Sequence, residues 1–102
     1  MENLKFKRWL LGAVLFAAST ANANNVFNGK EVYSKECISC HGVNGEGKMP
    51  GTPNFVESKV LFKLDQELVK SVRDGKGIMP GFRGLMKDED ISDVVAYLRT
   101  FH

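Results

Sequence analysis

The amino-acid sequence predicts an all-α fold built from three main helices. Three observations carry that prediction. Apolar residues recur at helical spacing in two stretches, and a third stretch opens with helix-capping chemistry. Glycine and proline concentrate between these stretches. No segment alternates apolar and polar residues as a half-buried strand would, and no internal repeat or low-complexity tract occurs.

The chain begins with a segment outside that fold. Lys5, Lys7 and Arg8 precede an apolar run from Trp9 to Ala18, and small Ala21 and Ala23 follow. A basic start, a short apolar centre and an A-x-A end are the parts of a secretory signal peptide. Cleavage is expected after Ala23. The apolar run is about half the ~20 residues that a bilayer span requires, so a retained anchor is the weaker reading. Residues 1–23 are therefore expected to be a signal peptide and residues 24–102 one exported domain. Export implies an oxidising compartment, here the periplasm. From Asn24 onward the chain carries eleven acidic and eleven basic residues. That balance gives no argument for binding nucleic acid or an anionic membrane.

The first helix is expected to open at "VFNGKEVY". Asn28 is a competent N-cap, Glu31 stands three residues later as in a capping box, and Phe27 can staple onto Val32. This helix should run into Cys37. Residues 42–57 hold four glycines and two prolines and read as loop. A short helical turn around Phe62 and Leu64 leads into a second helix from Asp65 to Asp74. Its stripe is Leu68, Val69 and Val72, and Gly75 stops it. After the loop "GKGIMPGF" comes the clearest element. Ile91, Val94, Val95, Leu98 and Phe101 share one face of an amphipathic helix, with Asp88, Glu89 and Asp90 at its dipole-positive start. Seventy-nine residues make a thin core, which usually needs a covalent or metal staple.

The stretch "CISCH", Cys37 to His41, offers one. Four readings compete. A thioredoxin-like disulfide normally sits on a βαβ unit, and none is predicted. Structural zinc wants four ligands, and the other histidine, His102, is terminal. A plain disulfide accounts for the cysteines and leaves His41 idle. Covalent haem uses all three residues: two sulfurs form thioethers to the porphyrin vinyl groups, and the imidazole faces the iron.

The haem reading demands a second axial group, and the candidates are Met49, Met79, Met86 and His102. Met49 lies eight residues after His41, a span of about 27 Å fully extended, which passes the ring edge without slack. Met86 and His102 sit on or beside the last helix, where a methionine more often fills core. Met79 has the best setting, after a helix and a flexible "DGKG" and before the stiff Pro80.

Together "GKEVYSKECISCHG", "GTPNF", "GIMPGF" and "DVVAYLRTF" resemble the class I monohaem c-type cytochromes of bacteria, over essentially the whole chain after residue 23. The resemblance implies a cytochrome c fold, with three main helices and their loops wrapped around one covalently attached haem c. It implies a close crossing of the first and last helices at Gly29 and Tyr97. It also implies that the Pro53 carbonyl accepts the His41 Nδ1 proton, and that Ile78, Phe82 and Tyr97 pack on the haem. Lys87 departs from the Ser or Thr cap of many relatives, leaving Asp88 as the candidate cap.

Iron closed by His41 and Met79 leaves no place for substrate, so the implied role is one-electron transfer rather than catalysis. The expected partners are larger redox proteins, met transiently at the haem edge near Cys37–Cys40, Met49 and Ile78–Phe82. Lys35, Lys48, Lys76 and Arg83 are the charges that could ring that edge. The chain itself is expected to be a monomer. Two competing roles are a haem enzyme or gas binder with an open distal side, and an accessory electron donor to maturation of another oxidoreductase.

Overall fold

The chain enters its first helix through a side-chain cap, and the computed structural model describes it from there, over residues 24–102. The expected signal peptide and its cleavage after Ala23 lie outside the described residues. Helix α1 spans Val26–Glu36. Its N-cap is Asn25, whose Oδ1 accepts from the Phe27 and Asn28 amides at 3.0 and 3.1 Å. The helix therefore starts before Asn28. Phe27 is 84% exposed and staples nothing. Asn28 has other work: its Nδ2 donates to Asp90 Oδ1 at 2.8 Å and to Asp93 Oδ2 at 2.9 Å. Two asparagines could each cap a helix here, and the long-range bond to buried Asp93 decides which one does.

After a break at Cys37 the chain winds one further turn, α2 (Ile38–His41). The long loop that follows ends in a 3-10 turn at Val60–Phe62. Helix α3 covers Asp65–Asp74 and stops at Gly75, which adopts φ +84°. A carboxylate supports its start, since Glu67 Oε2 accepts from the Leu64 amide at 3.1 Å. Helix α4 spans Asp88–Leu98 and buries Ile91, Asp93, Val94, Val95 and Leu98. Four of these are the predicted stripe. Phe101, its fifth member, lies beyond the helix and is only half-buried. The cap position is Lys87, without a side-chain bond, so Asp88 lies inside the first turn rather than capping it. Asp88, Glu89 and Asp90 then offset the unpaired N–H groups electrostatically.

The core forms where α1 crosses α4. A Cβ placed on Gly29 would fall 2.6 Å from the Asp93 carbonyl carbon and 2.9 Å from Tyr97 Cβ. Only a residue without a side chain allows that approach, so the expected Gly29–Tyr97 crossing is present. Tyr33, Phe55, Val94 and Leu98 are buried together beside it, with Cys37, Ile38, Tyr97 and Phe101 packed against them. Arg99, just past α4, ties down the segment before α3. Its guanidinium donates to the carbonyls of Leu61 and Lys63 and to Asp65 Oδ1. The site is thus built on the α1–α4 pair, and α3 is docked beside it.

Candidate haem-attachment site

The α2 turn sets the sulfur spacing. The Cys37 carbonyl accepts from the amides of Cys40 and His41 at 3.3 and 2.9 Å, which places the two thiols and the imidazole on one helical turn. Both cysteines are half-buried and unpaired. Burial, helped by the nearby Glu36 and Cys40, pushes the Cys37 thiol up to about 12. A redox dithiol needs the opposite shift, because the thiolate is the nucleophile. Among the described residues no three His, Cys, Asp or Glu side chains converge as a metal site. Neither the redox nor the zinc reading gains a geometry here.

Backbone hydrogen bonds fold the next loop back over the turn. Gly47 donates to the His41 carbonyl and Lys48 to that of Cys40, both at 2.8 Å, and Phe55 donates to Gly45 at 2.7 Å. The Phe55 ring consequently stacks on His41, with centroids 4.8 Å apart and planes 15° from parallel. Burial lowers the imidazole pKa, which favours the neutral ring that can ligate a metal. His41 Nδ1 is buried with no hydrogen-bond partner. The expected bond to Pro53 is therefore not made. Stacking on Phe55 sets the ring plane, while the Pro53 carbonyl oxygen faces Gly47, 3.0 Å from where a Cβ would sit there.

The other predicted residues occupy separate settings. Met79 is half-buried in a tight turn, held by reciprocal 3.0 Å backbone bonds with Lys76. Phe82 and Arg83 donate to the carbonyls of Val72 and Arg73 at 3.0 Å, closing the base of the Met79 loop against α3. Ile78 stands 72% exposed on that loop. Phe82 lines a groove of about 590 Å³ with Val32, Leu85 and Met86. Tyr97 packs inward, its ring centroid 5.4 Å from those of Tyr33 and Phe101.

Sequence reading missed two participants, Phe55 and Tyr33, and weighed Met49 without its contact to Cys40. Met49 brings its sulfur to 3.1 Å from Cys40 Sγ. Phe55 stacks on the histidine from within "TPNF", where nothing local signals an aromatic contact. Tyr33 donates from a buried hydroxyl to the Gly42 carbonyl at 2.6 Å. Its place one turn after Gly29 was the available clue.

These residues fit a covalent haem. The donor set is two thiols and an imidazole on one turn, the imidazole's pKa lowered by burial. Phe62, Leu64 and Ile78, at 81, 61 and 72% exposure, offer apolar surface suited to covering a flat ring. Fold and site thus define a small helical haem protein. Residues 24–98 match the family model described as "Cytochrome C oxidase, cbb3-type, subunit III". The chain is 36% identical to cytochrome c6 of Nostoc sp. PCC 7120, covering 91% of this chain and 88% of that one. It is 33% identical to cytochrome c6 of Synechocystis sp. PCC 6803, covering 86% and 75%. Cytochrome c6 of the diatom Phaeodactylum tricornutum superposes with a TM-score of 0.60 at 26% identity, over 72% of this chain and 90% of that one. The chain belongs to the class I c-type cytochromes, with their all-α fold and one covalently bound haem c. It is an electron-transfer protein and not an enzyme.

Proposed function

We propose that the domain spans residues 24–102 after cleavage at Ala23, and works in the periplasm as a monomeric one-electron carrier between larger redox proteins. The observation that carries this reading is the α2 turn: two unpaired thiols and a stacked imidazole presented together. Cys37 and Cys40 would hold the haem by thioethers, and His41 and Met79 would ligate its iron. When bound, haem c supplies a one-electron iron couple whose potential a thioether ligand raises.

The protein's part is to hold and to exclude. Phe55 fixes the plane of His41 from one side. The closed Lys76–Met79 turn and its anchorage on α3 pre-set Met79. With His41 and Met79 both on the iron, substrate would have no open site, which separates a carrier from a peroxidase-like protein. Partners meet the edge around Cys37–Cys40, Met49 and Ile78–Phe82, in a contact burying less than about 1,200 Å². Arg83 is committed to Asp74 at 2.5 Å, so Lys35, Lys48 and Lys76 remain as the steering charges. No helix among the described residues is long and apolar enough to cross a membrane.

A denaturing gel stained for haem, with the intact mass of the exported protein, tests the attachment and the processing. The expected result is a stained band that survives acid solvent extraction, and a mass beginning at Asn24. Extractable haem would overturn the covalent assignment; a mass retaining residues 1–23 would overturn the cleavage.

A further inference from the structure

Tyr33 is 1% exposed, and its rings of contact, Tyr97 and Phe101, lie 5.4 Å away. Phenylalanine would pack there equally well and would avoid the cost of burying a hydroxyl. The hydroxyl must therefore be read through its one bond, to the Gly42 carbonyl at 2.6 Å. Burial raises the phenol pKa above its ordinary value, so the group remains a neutral donor across ordinary pH.

Gly42 is the residue after His41. Its φ of +85° turns the chain sharply out of α2, and its carbonyl also receives the Gly45 amide at 3.3 Å. Gly45 in turn accepts from Phe55, whose ring lies on the imidazole. One hydroxyl on α1 thus holds the point from which the histidine's whole covering loop departs. Thr100 supplies a control: its hydroxyl also donates to a backbone carbonyl, that of Tyr97 at 2.7 Å, but beyond the end of α4 and outside the histidine's loop.

We propose that Tyr33 is a positioning residue for His41: by donating to Gly42 it sets the rotation of the imidazole against Phe55, and so the ligand field at the iron. This rests on His41 being an axial ligand. The plane and hydrogen bonding of a ligating histidine tune the metal it holds.

The test compares holoprotein parent, Tyr33→Phe and Thr100→Val by low-temperature electron paramagnetic resonance of the oxidised form, reduction potential, and amide exchange. Tyr33→Phe should alter the low-spin g-values, shift the potential, and speed exchange at Gly45 and Gly47 about fivefold, the factor expected for one lost hydrogen bond. Thr100→Val, which loses a hydroxyl-to-carbonyl bond elsewhere, should leave all three unmoved. Should Tyr33→Phe lose stability while its g-values and potential match the parent, the hydroxyl is merely structural and the proposal fails. A parent with no low-spin, histidine-ligated signal would instead remove the ligand assignment, and the proposal with it.

Discussion

Gly29→Ala places one methyl group where α1 meets α4, and the structure says what it would strike. The added carbon falls 2.6 Å from the Asp93 carbonyl carbon and 2.9 Å from Tyr97 Cβ. The first is backbone inside a helix and cannot rotate away, so the helices must separate. Overpacking of this kind costs about 1–3 kcal/mol, and a backbone obstacle belongs at the upper end. Separation also strains the bonds from the Asn25 amide and Asn28 Nδ2 to buried Asp93, at 2.7 and 2.9 Å, adding on the order of 1 kcal/mol. Alanine returns up to ~1 kcal/mol of helix propensity. The net loss is about 3 kcal/mol, a large fraction of the stability of so small a domain. At 4–8 °C per kcal/mol, roughly, the midpoint should fall by about 12–24 °C. Thermal unfolding of the holoprotein, followed by far-ultraviolet circular dichroism, measures it. A midpoint within ~2 °C of the parent would refute the close-crossing argument.

Other perturbations test other parts. A Cβ at Gly81 would lie 2.6 Å from the Asp74 carbonyl carbon, so Gly81→Ala should pry the Met79 loop from α3 and weaken the sulfur-to-iron absorption band; an unchanged band would show the loop is not set by that contact. The Arg83 guanidinium beside Asp74, with Lys70 adding, holds its carboxyl below the usual carboxylate range. A depressed carboxylate pKa contributes stability above the unfolded value and loses it as pH falls through the folded one. Asp74→Asn should therefore flatten the acid side of the stability–pH curve, by an amount that shrinks in high salt because the pair is exposed. An undiminished acid slope at low salt would discard this clip. Cys37→Ala with Cys40→Ala, expressed without haem, should show no cooperative unfolding, because ligand binding is then folding energy the chain lacks; a sharp calorimetric transition would show that the core closes unaided.

Much of the fold was legible because the information is local. The α3 and α4 faces repeat within a few turns, and Gly75 and the acidic start of α4 mark their ends. The start of α1 was misread because Asn25 and Asn28 offer the same local chemistry, and only Asp93, 65 residues from Asn28, distinguishes them. The Cys37–His41 turn was legible for a similar reason: its three chemical groups lie within five residues. Its support was not. The Phe55 stack and the Tyr33 bond depend on how the loop returns across α2, and the unpartnered His41 Nδ1 shows that a family expectation for Pro53 does not fix the local geometry.

The proposed ligand set turns on which sulfur would close the iron opposite His41, its proposed first ligand. Met79 lies in a pre-set turn, whereas Met49 brings its sulfur beside Cys40 and is the structural rival. The far-red sulfur-to-iron charge-transfer band of the oxidised protein reports the ligand directly, recorded alongside carbon monoxide binding to the reduced form. Met79→Ala should abolish the band and admit carbon monoxide, while Met49→Ala and Met86→Ala should retain the band and exclude the gas. A band that persists in Met79→Ala and vanishes in Met49→Ala would contradict the account and move the distal ligand to residue 49.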